Sequence, residues 1–213
     1  MFAAGTESAG WFLENAWLIP LIPAVAFFLI LGFGTRMPRG GSEIGIASMV
    51  ASLVLAAGTA YQWIQRVDAP VDEEHAIARG AFGFARTFSE EGAEEAHHVS
   101  AVAKVWNWFE VGNLDVSIGS YVDGLSVTLL LLVAFISVLV QLYSTEYVRG
   151  DRRYTHFFAS ITLFSAGMLT MVAAPNMVQF ILGWELMGLT SFLLIGHWWE
   201  ETANSKAALK AFF

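Results

Sequence analysis

Cysteine is absent from this 213-residue sequence, which excludes a disulfide framework, a thiolate-held iron–sulfur cluster and a covalently attached haem on the chain. Charge is scarce: only 14% of residues are charged, against ~25% in an average soluble domain. With 56% of residues hydrophobic, that shortage excludes a disordered or collagen-like chain and points to a membrane protein. Basic residues are the scarcer sign, 11 Lys and Arg against 19 Asp and Glu. No basic stripe exists to neutralise phosphates, so nucleic acid is excluded as a partner. Missing too are a phosphate-cradling glycine loop, a paired-histidine zinc motif and any Ser/His/Asp spacing. The chain offers no bond-breaking centre, and any electrons involved in its function travel through other subunits.

What the sequence does have is long apolar runs. Five are predicted to cross a membrane as helices, at about residues 17–34, 44–64, 125–143, 157–174 and 177–198. Each has the ~17–25 residues needed to cross ~30 Å of hydrocarbon. The runs are continuously apolar rather than alternating, which favours helices over barrel strands. Acidic Glu7 and Glu14 precede the first run, and no small-residue cleavage site follows it, so it does not read as a signal peptide. A sixth helix begins near residue 203, with Asn204 or Ser205 as its expected cap, and stops long before it could cross. On that reading the sequence is part of a longer protein.

Lysine and arginine set the expected orientation. Arg36 and Arg39 follow the first span, Arg149, Arg152 and Arg153 follow the third, and Lys206 follows the fifth. The opposite side holds the N-terminus and residues 65–123, which carry 11 acids and four bases. The chain therefore divides into residues 1–64 with two spans, an extracytoplasmic acidic loop at 65–123, and residues 124–213 with three spans and the start of another. Within the loop, residues 105–122 are aromatic and β-branched around Gly112-Asn113, the pattern of a β-hairpin. The expected fold is thus an all-α polytopic bundle with a small β-hairpin in an outer loop.

Glu185 is the one Asp, Glu, Lys or Arg inside the five runs, near the middle of the fifth. A charge at the bilayer centre costs roughly 2.5–3.5 kcal/mol on insertion scales, so such residues face a bundle interior or a wet cavity. Lipid favours the protonated acid and a nearby cation favours the ionised one, the opposed influences a proton carrier needs. The blander reading is a protonated glutamate that locks two helices together. Gly188 and Gly196 lie on roughly the same side and would admit another helix or a file of water. Lys210 is the candidate relay partner: a helix returning from about residue 203 brings it within ~8 Å of Glu185 along the membrane normal. The alternative is a lysine snorkelling to the headgroups. His156 and His197 read as interfacial histidines without a role. Glu94, Glu95, His97 and His98 read as a solvated loop face rather than a zinc site, having no fixed ligand spacing. Trp63, Trp106, Trp108, Trp198 and Trp199 fit interfacial belts.

From Tyr121 onward a resemblance emerges. The segments YVDGLSVTLLLLVAFISVLVQLYSTEYVRGD, FFASITLFSAGMLTMVAAPNMVQFILGWELMGLTSFLLIGHWW and NSKAALKAFF closely resemble the antiporter-like subunit of L type in bacterial respiratory complex I, the proton-pumping NADH:quinone oxidoreductase. The resemblance covers the N-terminal portion of that subunit. It implies inverted repeats of helices, each with a broken helix, and gives the glutamate matched by Glu185 a central place in a proton channel. That glutamate pairs in the family with a lysine on a seventh span, which lies after Phe213, while the lysine matched by Lys210 lies near the route. The resemblance implies no cofactor on this chain, with NADH, FMN, iron–sulfur clusters and quinone in partner subunits. It also implies membrane-arm neighbours, especially a sister antiporter-like subunit, in a bacterial inner membrane. Two other readings share the same residues: a subunit of a multi-subunit sodium/proton antiporter, and a non-conducting structural membrane subunit.

Overall fold

The computed structural model describes residues 10–68, 99–111 and 114–212. Glu94, Glu95, His97, His98, Gly112 and Asn113 lie outside them. After a single turn, α1 (Trp11–Glu14), come α2 (Leu18–Phe33) and α3 (Ser42–Val67). Strands β1 (Val102–Val111) and β2 (Leu114–Val122) form an antiparallel hairpin. Then follow α4 (Gly124–Tyr147), α5 (Tyr154–Val172), α6 (Met177–Ile195) and α7 (Thr202–Phe212). Five of these helices, α2 to α6, are long and apolar enough to span a membrane, as the sequence predicts.

The helices α2, α3, α4 and α5 close into a four-membered group: α2 packs on α3 and α5, and α4 packs on the same two. Helix α6 lies outside, antiparallel along α5, and α7 lies along α6. Lipid tails are as apolar as leucine, so close van der Waals packing and interhelical hydrogen bonds hold such a bundle together rather than hydrophobic burial. Two apolar layers fill the interior. One gathers Leu13, Ile19, Met49, Val122, Leu130 and Leu169 toward the hairpin end. The other gathers Ile30, Val148, Phe158 and Ile161 toward the opposite end. Between them sit fully buried Gln141 and Thr162, joined by a 3.3 Å bond from Gln141 Nε2 to Thr162 Oγ1.

Pro23 lies inside α2, where its missing N–H leaves the carbonyl of Ile19 without its usual helical partner. The hydroxyl of Ser52 on α3 donates to that carbonyl at 2.9 Å. A freed backbone group in hydrocarbon is thereby satisfied by a neighbouring helix, the condition under which membrane helices tolerate proline.

The hairpin sits against the α5–α6 turn. Tyr121 N donates to Ala173 O at 3.0 Å, and Asn176 Nδ2 donates to Ser117 O at 2.6 Å. A bulge at Trp108 interrupts the register, so Asn107 pairs with Ser117 and Phe109 with Val116. β1 begins at Val102, earlier than composition indicates, because small Ala103 and charged Lys104 hide the start of the strand. Helix α7 likewise starts before its expected caps: Asn204 and Ser205 are already inside it, and their backbone N–H groups bond to Glu201 O at 3.0 and 3.2 Å.

Candidate functional site

The helix that carries Glu185 is anchored from its first turn. Asn176 caps α6 by accepting from Gln179 N at 2.9 Å, satisfying a donor the helix leaves orphaned. The Gln179 side chain then pairs both ways with one residue of β2. Its Oε1 accepts from Gly119 N and its Nε2 donates to Gly119 O, each at 2.9 Å. Only glycine fits at 119, since a Cβ there would lie 2.0 Å from Lys104 O.

One turn further in, Gly183 meets α5. A Cβ at this position would come within 2.7 Å of Met171 N and 2.8 Å of Gly167 O, both rigid backbone. Glu185 stands two residues on, ~200° around the helix at 3.6 residues per turn, and so points away from α5. Within the chain it is exposed, in an apolar groove of about 570 Å³ lined by Val178, Leu182, Leu186, Leu189 and Phe212.

The two glycines expected on that face differ in role. Gly196 contacts α7, where its Cβ would be 3.3 Å from that of Ala208, whereas Gly188 faces open space. The close helix contact is made by Gly183 instead, which the pattern around Glu185 does not single out.

Lys210 is exposed on α7. Among the described residues neither Glu185 nor Lys210 makes an ion pair or a hydrogen bond. The register of α7 on α6 explains their separation. Gly196 lies beside Ala208, and the rings of Phe192 and Phe212 meet at 5.6 Å. These two pairs put Lys210 level with residue 194, nine residues or ~13 Å from Glu185 along the helix. That exceeds the spacing expected from sequence because the connection from Gly196 to Glu201 continues past the end of α6 before α7 turns back.

The opposite end of α6 holds a polar cluster that sequence reasoning missed. His197 is only 8% exposed, not an idle interfacial residue. Its Nε2 lies 3.4 Å from Asp151 Oδ2, within ion-pair range but outside hydrogen-bond geometry. Asp151 accepts from Arg153 N at 2.7 Å and from Trp198 Nε1 at 2.8 Å. The backbone N–H of Arg153 holds the Asp151 carboxyl below the usual carboxylate range, with the Trp198 indole and His197 helping against partial burial. Arg153 also pairs with Glu200, lowering that carboxyl, and stacks over Trp199 at 5.3 Å. The cluster ties the α4–α5 loop to the α6–α7 loop. A histidine beside two tryptophans could have hinted at it, but its acidic partner is far away in sequence. His156, by contrast, is exposed at the start of α5. Among the described residues no group of three or more His, Cys, Asp or Glu could hold a metal ion.

Glu185 is thus a carboxylate on the open face of α6 with no partner among the described residues. Residues 108–158 match the family described as NADH-ubiquinone oxidoreductase (complex I), chain 5 N-terminus. Residues 174–213, which include Glu185 and Lys210, match the family described as NADH:quinone oxidoreductase/Mrp antiporter, TM. The chain belongs to this family of complex I and antiporter membrane subunits. F(420)H(2) dehydrogenase subunit L of Methanosarcina mazei is 34% identical over 199 residues, covering 93% of this chain and 24% of that protein. Chloroplastic NAD(P)H-quinone oxidoreductase subunit 5 of Adiantum capillus-veneris is 42% identical, covering 93% of this chain and 24% of its own length. NADH-quinone oxidoreductase subunit L of Escherichia coli is 41% identical over 108 residues, covering 51% of this chain and 18% of its own. The chain thus spans about a quarter or less of the relatives' length. The three relatives are named for three electron donors, so membership in the complex I family does not by itself select NADH.

Proposed function

We propose that this chain is part of a proton-translocating membrane subunit of an NADH:quinone oxidoreductase, with Glu185 as a proton carrier. The observation that carries this reading is a lone carboxylate at mid-helix in a membrane span, rotated away from the helix contact that Gly183 makes. Glu185 takes up a proton when its surroundings are apolar and releases it when a cation or water approaches. Lys210 is the relay partner on this chain, reached across ~13 Å of axial distance through water. Redox chemistry in partner subunits, which hold NADH, FMN, iron–sulfur clusters and quinone, drives the change through coupling to those surroundings. A sister antiporter-like subunit is the expected neighbour. The membrane is a bacterial inner membrane, with the N-terminus and hairpin on the extracytoplasmic side.

The test is Glu185→Gln in the full-length protein within its assembly. Proton translocation per electron should fall severely while the assembly forms normally; unchanged translocation overturns the role. Orientation is checked by single cysteines at exposed Thr35, Ser100 and Arg149, which an impermeant reagent should reach from inside, outside and inside respectively. The shared description of one family match, NADH:quinone oxidoreductase/Mrp antiporter, supports a second reading, a subunit of a sodium/proton antiporter. Transport driven by a sodium gradient rather than by electron-donor oxidation in vesicles would favour it.

A further inference from the structure

A second groove lies beneath the hairpin, adjoining the one at Glu185 and sharing Val178 and Leu182 with it. Trp17 just before α2, Leu21 of α2, Trp106 and Trp108 of β1, and Val178 and Leu182 of α6 line it. Its volume is about 210 Å³. Its walls are almost entirely apolar side chain, the surface that a hydrocarbon chain fits.

Depth points to the same occupant. Leu182 lies five residues into α6 and Ala24 six into α2, so the groove starts at the hairpin and reaches ~8–9 Å into the span. Its tryptophans occupy the level of an interfacial aromatic belt. At its rim Lys104 shares a face of β1 with Trp106, and its Nζ sits 5.7 Å from the Trp106 ring centroid. Trp106 meets Trp17 edge-on at 5.3 Å, joining the lysine to the groove wall. Among the described residues Lys104 has no carboxylate partner; its one polar contact is Asn15 Oδ1 at 3.4 Å. A cation with no carboxylate partner among the described residues, beside an apolar slot at headgroup depth, complements an anionic headgroup whose acyl chain enters the slot.

We propose that this groove is a binding site for an anionic phospholipid, its phosphate at Lys104 and one acyl chain between α2, α6 and the hairpin. The site does not depend on the role given to Glu185. To test it, the full-length protein in its assembly is placed in phosphatidylcholine vesicles containing a phosphatidylglycerol with a photoactivatable acyl chain. Labelling is mapped by peptide, with exposed Leu132 and Phe135 of α4 as the reference for lipid that merely surrounds the protein. Labelling should concentrate on residues 17–24, 106–108 and 178–182, and unlabelled phosphatidylglycerol should compete better than phosphatidylcholine. Lys104→Gln should reduce that preference about fivefold, the weight of one basic residue near a membrane surface. Leu21→Trp, which fills the slot and leaves the charge, should abolish groove labelling without changing α4 labelling. Equal competition by both lipids overturns the proposal, as does persistence of the preference in either variant. Capture of a polypeptide by a photo-crosslinker at Leu21 also overturns it.

Discussion

Helices α5 and α6 are antiparallel neighbours of 19 residues each, yet 44% of the residues in the apolar stretch of α5 are buried, against 17% for α6. Helix α5 is enclosed by α2, α4 and α6, whereas α6 gives one face to α5, a second to α7, and leaves the rest open. The difference teaches where each helix keeps its polar groups. In the enclosed part of α5 they are hydroxyls that bond back to the preceding turn: Thr162 to Phe158 O, Ser165 to Ile161 O and Thr170 to Ala166 O. The charged group of α6 is on its open side. Among the described residues, enclosure in this bundle goes with hydroxyl hydrogen bonding, and the open face carries the carboxyl side chain.

The strongest way to break this contrast is at the glycines. Gly183→Leu should drive a side chain into the α5 backbone and destabilise the protein by about 3 kcal/mol. Gly188→Leu, on the open face, should stay within ~0.5 kcal/mol. Thermal midpoints in detergent would measure both, and equal effects would mean that the two faces of α6 are not distinguished. Gln179→Leu comes next. It strands the N–H and C=O of Gly119 away from water and should cost about 2 kcal/mol, seen as a lower midpoint and earlier proteolysis of the hairpin. Gln141→Leu in the enclosed group should be milder, within about 1 kcal/mol, because it also removes an Oε1 that has no hydrogen-bond partner among the described residues.

The smallest effect belongs to acid. The Asp151 carboxyl is held below its ordinary range by the fold, so the stability it contributes is fully present above the unfolded-chain carboxylate pKa. That contribution is lost as pH falls through the lower folded value. Melting midpoints recorded from neutral pH into the acid range should show Asp151→Asn with a shallower acid decline than the parent.

Much of this architecture was legible in the sequence. The five spans were, because unbroken apolar length is a strong signal, and so was the hairpin, through its β-branched and aromatic residues. Glu185 was conspicuous because an acid in such a run is rare. What could not be read depends on pairings between distant segments. Asp151 and His197 meet only because two loops share one end of the bundle, and Gln179 finds Gly119 only once β2 lies over α6. The register of α7 was also hidden, since it is set by how far the connection after Gly196 travels before turning. The preference of α5 for Gly183 over Gly188 was invisible for the same reason: both are glycines on one helix, and only the neighbour tells them apart.

The bond from Ser52 to the carbonyl that Pro23 leaves free has a consequence for how sequences of this kind can change. Replacing the serine by alanine is harmful while the proline is present, and close to harmless once the proline has become alanine. The order in which the two substitutions arise therefore decides whether the intermediate survives, and the two positions should drift as a pair rather than singly.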